Sequence, residues 1–102
     1  MWSIYSRPCV RTIKFTSRFK RDYKRESRGQ HRLTLEADLF IVVERLAADG
    51  PLPHSQYDHP LVGEWADHRD CHIQPDLVLI YRKPDVTTLE LVRIGSHSEL
   101  GI

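Results

Sequence analysis

The spacing of apolar positions changes twice along this 102-residue chain. Val10-Arg11-Thr12-Ile13-Lys14-Phe15 alternates apolar and polar residues, the period of a half-buried strand. Phe15, Phe19 and Tyr23 then recur every four residues among basic neighbours, the stripe of an amphipathic helix. Thr16 or Ser17 is placed to cap that helix by accepting a bond from a free backbone N–H. Such a helix needs a buried face, so the aromatic stripe reads as core and not as a platform for bases. Gly29 interrupts the pattern. Leu35, Leu39, Val42, Val43, Leu46 and Ala47 next fall at helical spacing, which predicts a second helix from about Arg32 to Ala48. Gly50 and Pro51 are expected to stop it.

From Pro53 the texture shifts to short strands and turns. Leu77-Val78-Leu79-Ile80-Tyr81 is an unbroken apolar run of strand length, expected to be a central strand covered on both faces. Residues 69–73 fit the strand before it, turning through Gln74-Pro75. Lys83-Pro84-Asp85 is expected to form the next turn, and Val86 to Ile94 the last strand. Two helices in succession after one strand argue against a βαβ repeat. The expected fold is α+β: a strand, then two helices packed on one face of a mostly antiparallel sheet of four to five strands, then a short C-terminal segment. Residues 10–102 are expected to form this single domain, and residues 1–9 an N-terminal extension: a disordered lead, an alternative start or an extra edge strand.

Composition narrows the class. No window approaches the roughly 18–20 apolar residues of a membrane span, and the N-terminus lacks the apolar core of a secretory signal. Cys9 and Cys71 are far apart and form no Cys-x-x-Cys, so a reduced, cytoplasmic protein is expected. The net charge of +1 conceals an asymmetry: residues 1–32 hold ten Lys/Arg against two Asp/Glu, and the remainder five against twelve. A basic block attracts polyanions by neutralising phosphates, although a charged helix face is often just a solvated one. Lys20, Arg21, Lys24, Arg25 and Arg28 form the outer face of the first helix.

The chemistry lies in the strand-rich half. Histidine, with an ordinary pKa of about 6.5, gives or takes a proton near neutrality. His59, His72 and His97 stand near strand ends, with Asp76 at the mouth of the central strand. Cleaving RNA without a metal needs a base for a ribose 2′-hydroxyl, an acid for the departing 5′-oxygen, and cations for the phosphoryl charge. Arg69 and Arg93 are candidate phosphate clamps. Against this, a lone histidine at a strand end is ordinarily a hydrogen-bonded surface residue, and Asp76 after Pro75 could merely form a turn. His31, His54 and His68 are left with that structural reading. His68-x-x-x-His72 with Cys71 offers zinc ligands, but successive strand positions face opposite ways and no second cysteine closes the site. No metal or cofactor is therefore expected.

Many ordered positions resemble one family. Asp58-His59-Pro60-Leu61, Gly63-x-Trp65, Arg69-Asp70-x-His72-Ile73-x-Pro75-Asp76-Leu77-x-Leu79-Ile80-Tyr81 and Arg93-x-Gly95-Ser96-His97-Ser98-Glu99-Leu100 resemble the YafQ branch of the RelE/ParE toxin superfamily. The resemblance implies a RelE-like fold and the toxic half of a toxin–antitoxin pair. It implies a metal-independent endoribonuclease that enters the ribosomal A site and cuts mRNA. Its partners would be the ribosome and a cognate antitoxin, in a toxin–antitoxin hetero-oligomer in the cytoplasm. Carried over residue by residue, it makes His59, His72, Asp76 and His97 the catalytic set. His97 would be the general acid and Asp76 its orienter or the base; His59 and His72 would contact the phosphate or share the proton transfer. Lys20, Arg21, Lys24, Arg25, Arg69 and Arg93 would meet RNA. The family pattern departs at one point: an aromatic is expected four residues after the last histidine, where this chain has Gly101. That departure keeps open an alternative, a catalytically impaired toxin fold that binds antitoxin or RNA without cleavage. A gyrase-poisoning relative from the ParE side would not need this histidine set.

Overall fold

A computed structural model describes residues 11–50, 52, 59–61 and 63–102. The N-terminal extension, residues 1–9, lies outside them. The elements run β1 (Thr12–Phe15), α1 (Ser17–Glu26), α2 (Leu35–Ala47), β2 (His59–Pro60), a single 3-10 turn (Gly63–Trp65), β3 (Arg69–Gln74), β4 (Leu77–Asp85), β5 (Thr88–Gly95) and α3 (His97–Leu100). The five strands form one sheet in the order β1-β5-β4-β3-β2. Among the described strands β1 and β5, the first and last in sequence, are parallel, and the other pairs are antiparallel.

The apolar run of β4 is central and covered twice, as its composition requires. Leu77, Leu79 and Tyr81 pack into the main core with Phe19, Leu35, Leu39, Val42, Val43 and Leu46 of the helices. Val78 and Ile80 face the other way, into a smaller cluster with Val92 and Leu100, lidded by Leu61 and Trp65. The aromatic stripe of α1 is core: Phe15, Phe19 and Tyr23 stack in series, with ring centroids 5.5 and 6.1 Å apart. Thr16 is the cap, its Oγ1 accepting from the Phe19 amide at 3.0 Å.

Three boundaries differ from the sequence expectation. α2 begins at Leu35, not Arg32, because residues 31–34 are a turn in which the Thr34 and Leu35 amides donate to the His31 carbonyl. Its end is a Schellman turn in which Asp49, not Gly50, takes the left-handed conformation, at φ 57°. The Gly50 amide donates to the Arg45 carbonyl and the Asp49 amide to that of Leu46. Arg11 and Lys83 hold the Asp49 carboxylate at 2.9 and 2.6 Å, which favours this strained residue. Finally, β4 continues through Lys83-Pro84-Asp85, and the turn falls at Val86-Thr87. The Asp85 carboxylate accepts from both the amide and the hydroxyl of Thr87, at 2.8 Å each, which closes the turn there. Pro84 is tolerated because the β4–β5 register is irregular between Arg82 and Asp85.

Where β1 stops, α1 takes over the edge of β5. Thr16 Oγ1 donates to the Val92 carbonyl at 2.7 Å. Asp22 accepts from the Ile94 amide at 3.2 Å, and Arg25 Nη2 donates to the Ile94 carbonyl at 3.1 Å. The backbone groups that a sixth strand would engage are thus satisfied by side chains of a helix. β5 also carries a bulge: Ile80 faces Arg93 and Tyr81 faces Leu91, leaving Val92 extra. That one residue lets Leu91 and Ile94, an odd number apart, both enter the main core.

Candidate active site

Sheet register gathers the site. His72 of β3 lies opposite Val78 of β4, which in turn lies opposite Gly95 of β5. Val78 packs in the cluster away from the helices, so His72 shares that face. Asp76 sits in the tight turn between β3 and β4, and His97 begins α3 two residues past Gly95. α3 is only four residues long, too short to stand by propensity. A capping box holds it: Ser96 Oγ accepts from the Glu99 amide at 3.2 Å, and Glu99 Oε1 accepts from the Ser96 amide at 2.8 Å. Leu100 anchors its other side in the small cluster, and Gly101, at φ 73°, ends it in the left-handed conformation.

The result is a chain of three titratable side chains. His97 Nδ1 is 3.0 Å from Asp76 Oδ1, and His97 Nε2 is 3.1 Å from His72 Nε2. The two imidazole rings lie 5.1 Å apart, centroid to centroid. The backbone amide of His97 also points at Asp76 Oδ1, at 3.3 Å. These bonds, the ring's first, hold the Asp76 carboxyl below the ordinary carboxylate range. The carboxylate therefore accepts, Nδ1 carries a proton, and the tautomer of His97 is set. A hydrogen bond between two Nε2 atoms requires one to be protonated and one bare, so the pair as drawn shares a single proton there.

His72, Asp76 and His97 are thus brought together, as the sequence suggested. The backbone of His59 lies in β2 opposite Asp70, and its side chain is outside the described residues. His54 lies outside them as well. His68 packs edge-on against Trp65, its ring centroid 5.2 Å away, in keeping with a structural role. Among the described residues no group of three His, Cys, Asp or Glu side chains is placed to hold a metal ion. Cys71 is buried on the helix side of the sheet, away from the face of His72.

Lys20, Arg21, Lys24 and Arg25 are exposed on α1, and Arg69 is exposed at the start of β3. Arg93 and Arg25 also make ion pairs within the fold. Arg93 makes a two-pronged bond to Asp22, with Nε and Nη2 each at 2.8 Å. Arg25 contacts Asp22 at 3.1 Å, Glu26 at 3.0 Å and Glu99 at 3.1 Å. The organiser, Asp22, is 2% exposed and was not singled out from sequence. Its signal was present: Asp22 and Glu26 fall on the same helical face as Phe19 and Tyr23, an acidic pair on a face read as core. The capping box was equally legible as Ser96-x-x-Glu99.

The family model described as a bacterial toxin of type II toxin–antitoxin systems, YafQ, matches residues 11–101. The mRNA interferase toxin YafQ of Escherichia coli K12 is 32% identical over 91 residues, covering 88% of this chain and 95% of that protein. The fold superposes on a metal-bound toxin from Helicobacter pylori with a TM-score of 0.76 at 40% identity, covering 89% of this chain and 99% of the other. It matches the toxin–antitoxin complex DinJ-YafQ of E. coli with a TM-score of 0.74 at 34% identity, covering 89% and 97%. With nine-tenths of its length matched, by sequence and by fold alike, this chain belongs to the YafQ family of type II toxin–antitoxin toxins.

Proposed function

We propose that this protein is a metal-independent endoribonuclease that cuts mRNA in the ribosomal A site, needs no cofactor, and is neutralised by a cognate antitoxin in the cytoplasm. The observation that carries the reading is the Asp76–His97–His72 chain. In the reaction the ribose 2′-oxygen forms a bond to the adjacent phosphorus while the bond from phosphorus to the 5′-oxygen breaks. One imidazole removes the 2′ proton and the other supplies a proton to the departing oxygen, leaving a 2′,3′-cyclic phosphate and a 5′-hydroxyl. A pair of adjacent histidines holding one proton between them supplies both services from one protonation state.

His97 is assigned the acid role, because the Asp76 carboxylate on Nδ1 fixes its ring and leaves Nε2, beside His72, as the atom that can deliver a proton. Asp76 then orients and does not itself act as base. His72 serves as the neighbouring base or phosphate contact, with His59 on the adjoining strand as the fourth member. The exposed Lys20, Arg21, Lys24 and Arg69 supply the positive surface for an RNA backbone or for an acidic antitoxin segment.

Brief induction followed by mapping of mRNA 5′ ends tests the reading, with His97→Ala as control. Defined new ends that vanish in the variant are expected. Growth arrest of equal strength with His97→Ala would remove the catalytic assignment. Binding of antitoxin and RNA with no new ends would favour an impaired toxin, the reading that Gly101 in place of an aromatic suggests.

A further inference from the structure

We propose that Arg25 is a positioning residue for His97, acting across the molecule from α1 instead of touching RNA. α3 is formed by its capping box and anchored to the sheet by Leu100, buried with Val78, Ile80 and Val92. Arg25 adds a polar tie at the end that carries His97. Its Nη2 donates to the Ile94 carbonyl at 3.1 Å, one residue before Gly95, and its Nε reaches Glu99 Oε2 at 3.1 Å. The other oxygen of Glu99 is the one accepting from the Ser96 amide. One guanidinium therefore ties the Ile94 carbonyl, near the end of β5, to the carboxylate that caps the helix carrying His97. Asp22 Oδ1, at 3.1 Å from Nη1, and Glu26 Oε2, at 3.0 Å from Nε, hold that guanidinium in turn.

The fit leaves no slack at the turn. A Cβ on Gly95 would stand 2.8 Å from Arg25 Nη2 and 3.1 Å from Glu99 Oε1, so a side chain there would push aside the ends of the two residues that form the strap. His97 needs such control because its two ring bonds, to Asp76 and to His72, run to a turn and a strand that belong to the other end of the row. A shift of α3 lengthens both together. The planar, forked geometry of arginine is what allows one side chain to span a carbonyl and three carboxylates; a lysine keeps the charge and loses the span.

This inference rests on the proposed RNA cleavage for its kinetic arm only. Arg25→Lys and Arg25→Gln are compared with Lys20→Gln in cleavage of mRNA on programmed ribosomes, alongside NMR of the free proteins. Both Arg25 variants are expected to lower kcat by roughly ten- to hundredfold, as small misplacements of a reacting group do, with KM unchanged. Lys20→Gln should raise KM and leave kcat. In the free proteins both Arg25 variants should weaken or abolish the contact between the His72 and His97 rings while the core spectrum stays native. Glu99→Gln, which retains an acceptor for the Ser96 amide but loses the charge facing Arg25, should reproduce both effects. Wild-type kcat in Arg25→Lys, or a change confined to KM, overturns the proposal and returns Arg25 to RNA binding. Loss of the core spectrum in all three variants also overturns it, since Arg25 would then serve global folding. If the wild type cuts no RNA, the cleavage reading fails, and the ring contact still decides the role of Arg25.

Discussion

Replacing Asp22 with asparagine tests the central claim about the architecture, that one buried carboxylate holds the first helix to the last strand. Asp22 is 2% exposed and Arg93 17%. The carboxylate accepts two bonds from Arg93, one from Arg25 and one from the Ile94 amide. Removing one partner of a buried ion pair costs about 3–5 kcal/mol. Asparagine keeps a single acceptor, so the lower end, about 3 kcal/mol, is expected. In a domain of this size each kcal/mol moves the melting temperature by about 4–8 °C, giving a fall of about 12–24 °C. Urea unfolding followed by circular dichroism measures the same loss at 25 °C. The pH dependence adds an independent check. Burial pushes the Asp22 carboxyl up, but the Arg93 hydrogen bonds, the Ile94 amide and the charges of Arg93 and Arg25 outweigh it and hold the group below its ordinary value. A carboxyl depressed in the folded state stabilises fully above the unfolded pKa of about 3.9, and that stability drains as pH falls through the lower folded value. The wild type should therefore weaken steeply in that acid window and Asp22→Asn much less. A loss under about 1 kcal/mol, the range of solvent-exposed ion pairs, would refute the reasoning.

Other expectations concern the site. Asp76→Asn should reduce RNA cleavage by about 10²-fold or more, the range of general acid–base contributions, with folding unchanged; an intact rate in a gel-based cleavage assay would show that His97 needs no orienting carboxylate. Added Cu²⁺ or Zn²⁺ should inhibit cleavage by binding the Nε2 atoms of His72 and His97, and EDTA equimolar to the added ion should restore it; a rate unchanged by either ion contradicts the proposed chemistry. Gly101→Ala should destabilise by about 1 kcal/mol, because a side chain is disfavoured at φ 73° although the space around it is open; unchanged urea unfolding would mean that α3 ends differently in solution.

The elements were legible in sequence wherever a period ran long enough to be unambiguous. Phe15-Phe19-Tyr23 and Leu35 to Ala47 gave the helices and their buried faces, and the Leu77–Tyr81 run gave the central strand. Boundaries failed where a side chain decided them. Asp85 closes the turn one step beyond Lys83-Pro84, and Asp49 occupies a conformation ordinarily left to glycine because two distant cations, Arg11 and Lys83, hold its carboxylate. The site followed the same rule. His72, Asp76 and His97 could be picked by residue type and motif, but their order as a relay depends on the register of three strands. The fates of Arg25 and Arg93 were invisible for a different reason. Charge counting treats every cation on a basic helix or strand as available to an anion, and only tertiary packing reveals that an internal carboxylate has claimed it.

The helix lying along the edge of β5 has a consequence for how this molecule meets others. Beyond Phe15, the Val92 and Ile94 carbonyls and the Ile94 amide already have partners on α1. An incoming extended peptide would have to displace Thr16, Asp22 and Arg25 before it could add a strand there. Strand addition beside Val92–Ile94 is thereby blocked, whether by another copy of the chain or by a ligand. Recognition there must be made with the surface of a helix, side chain against side chain.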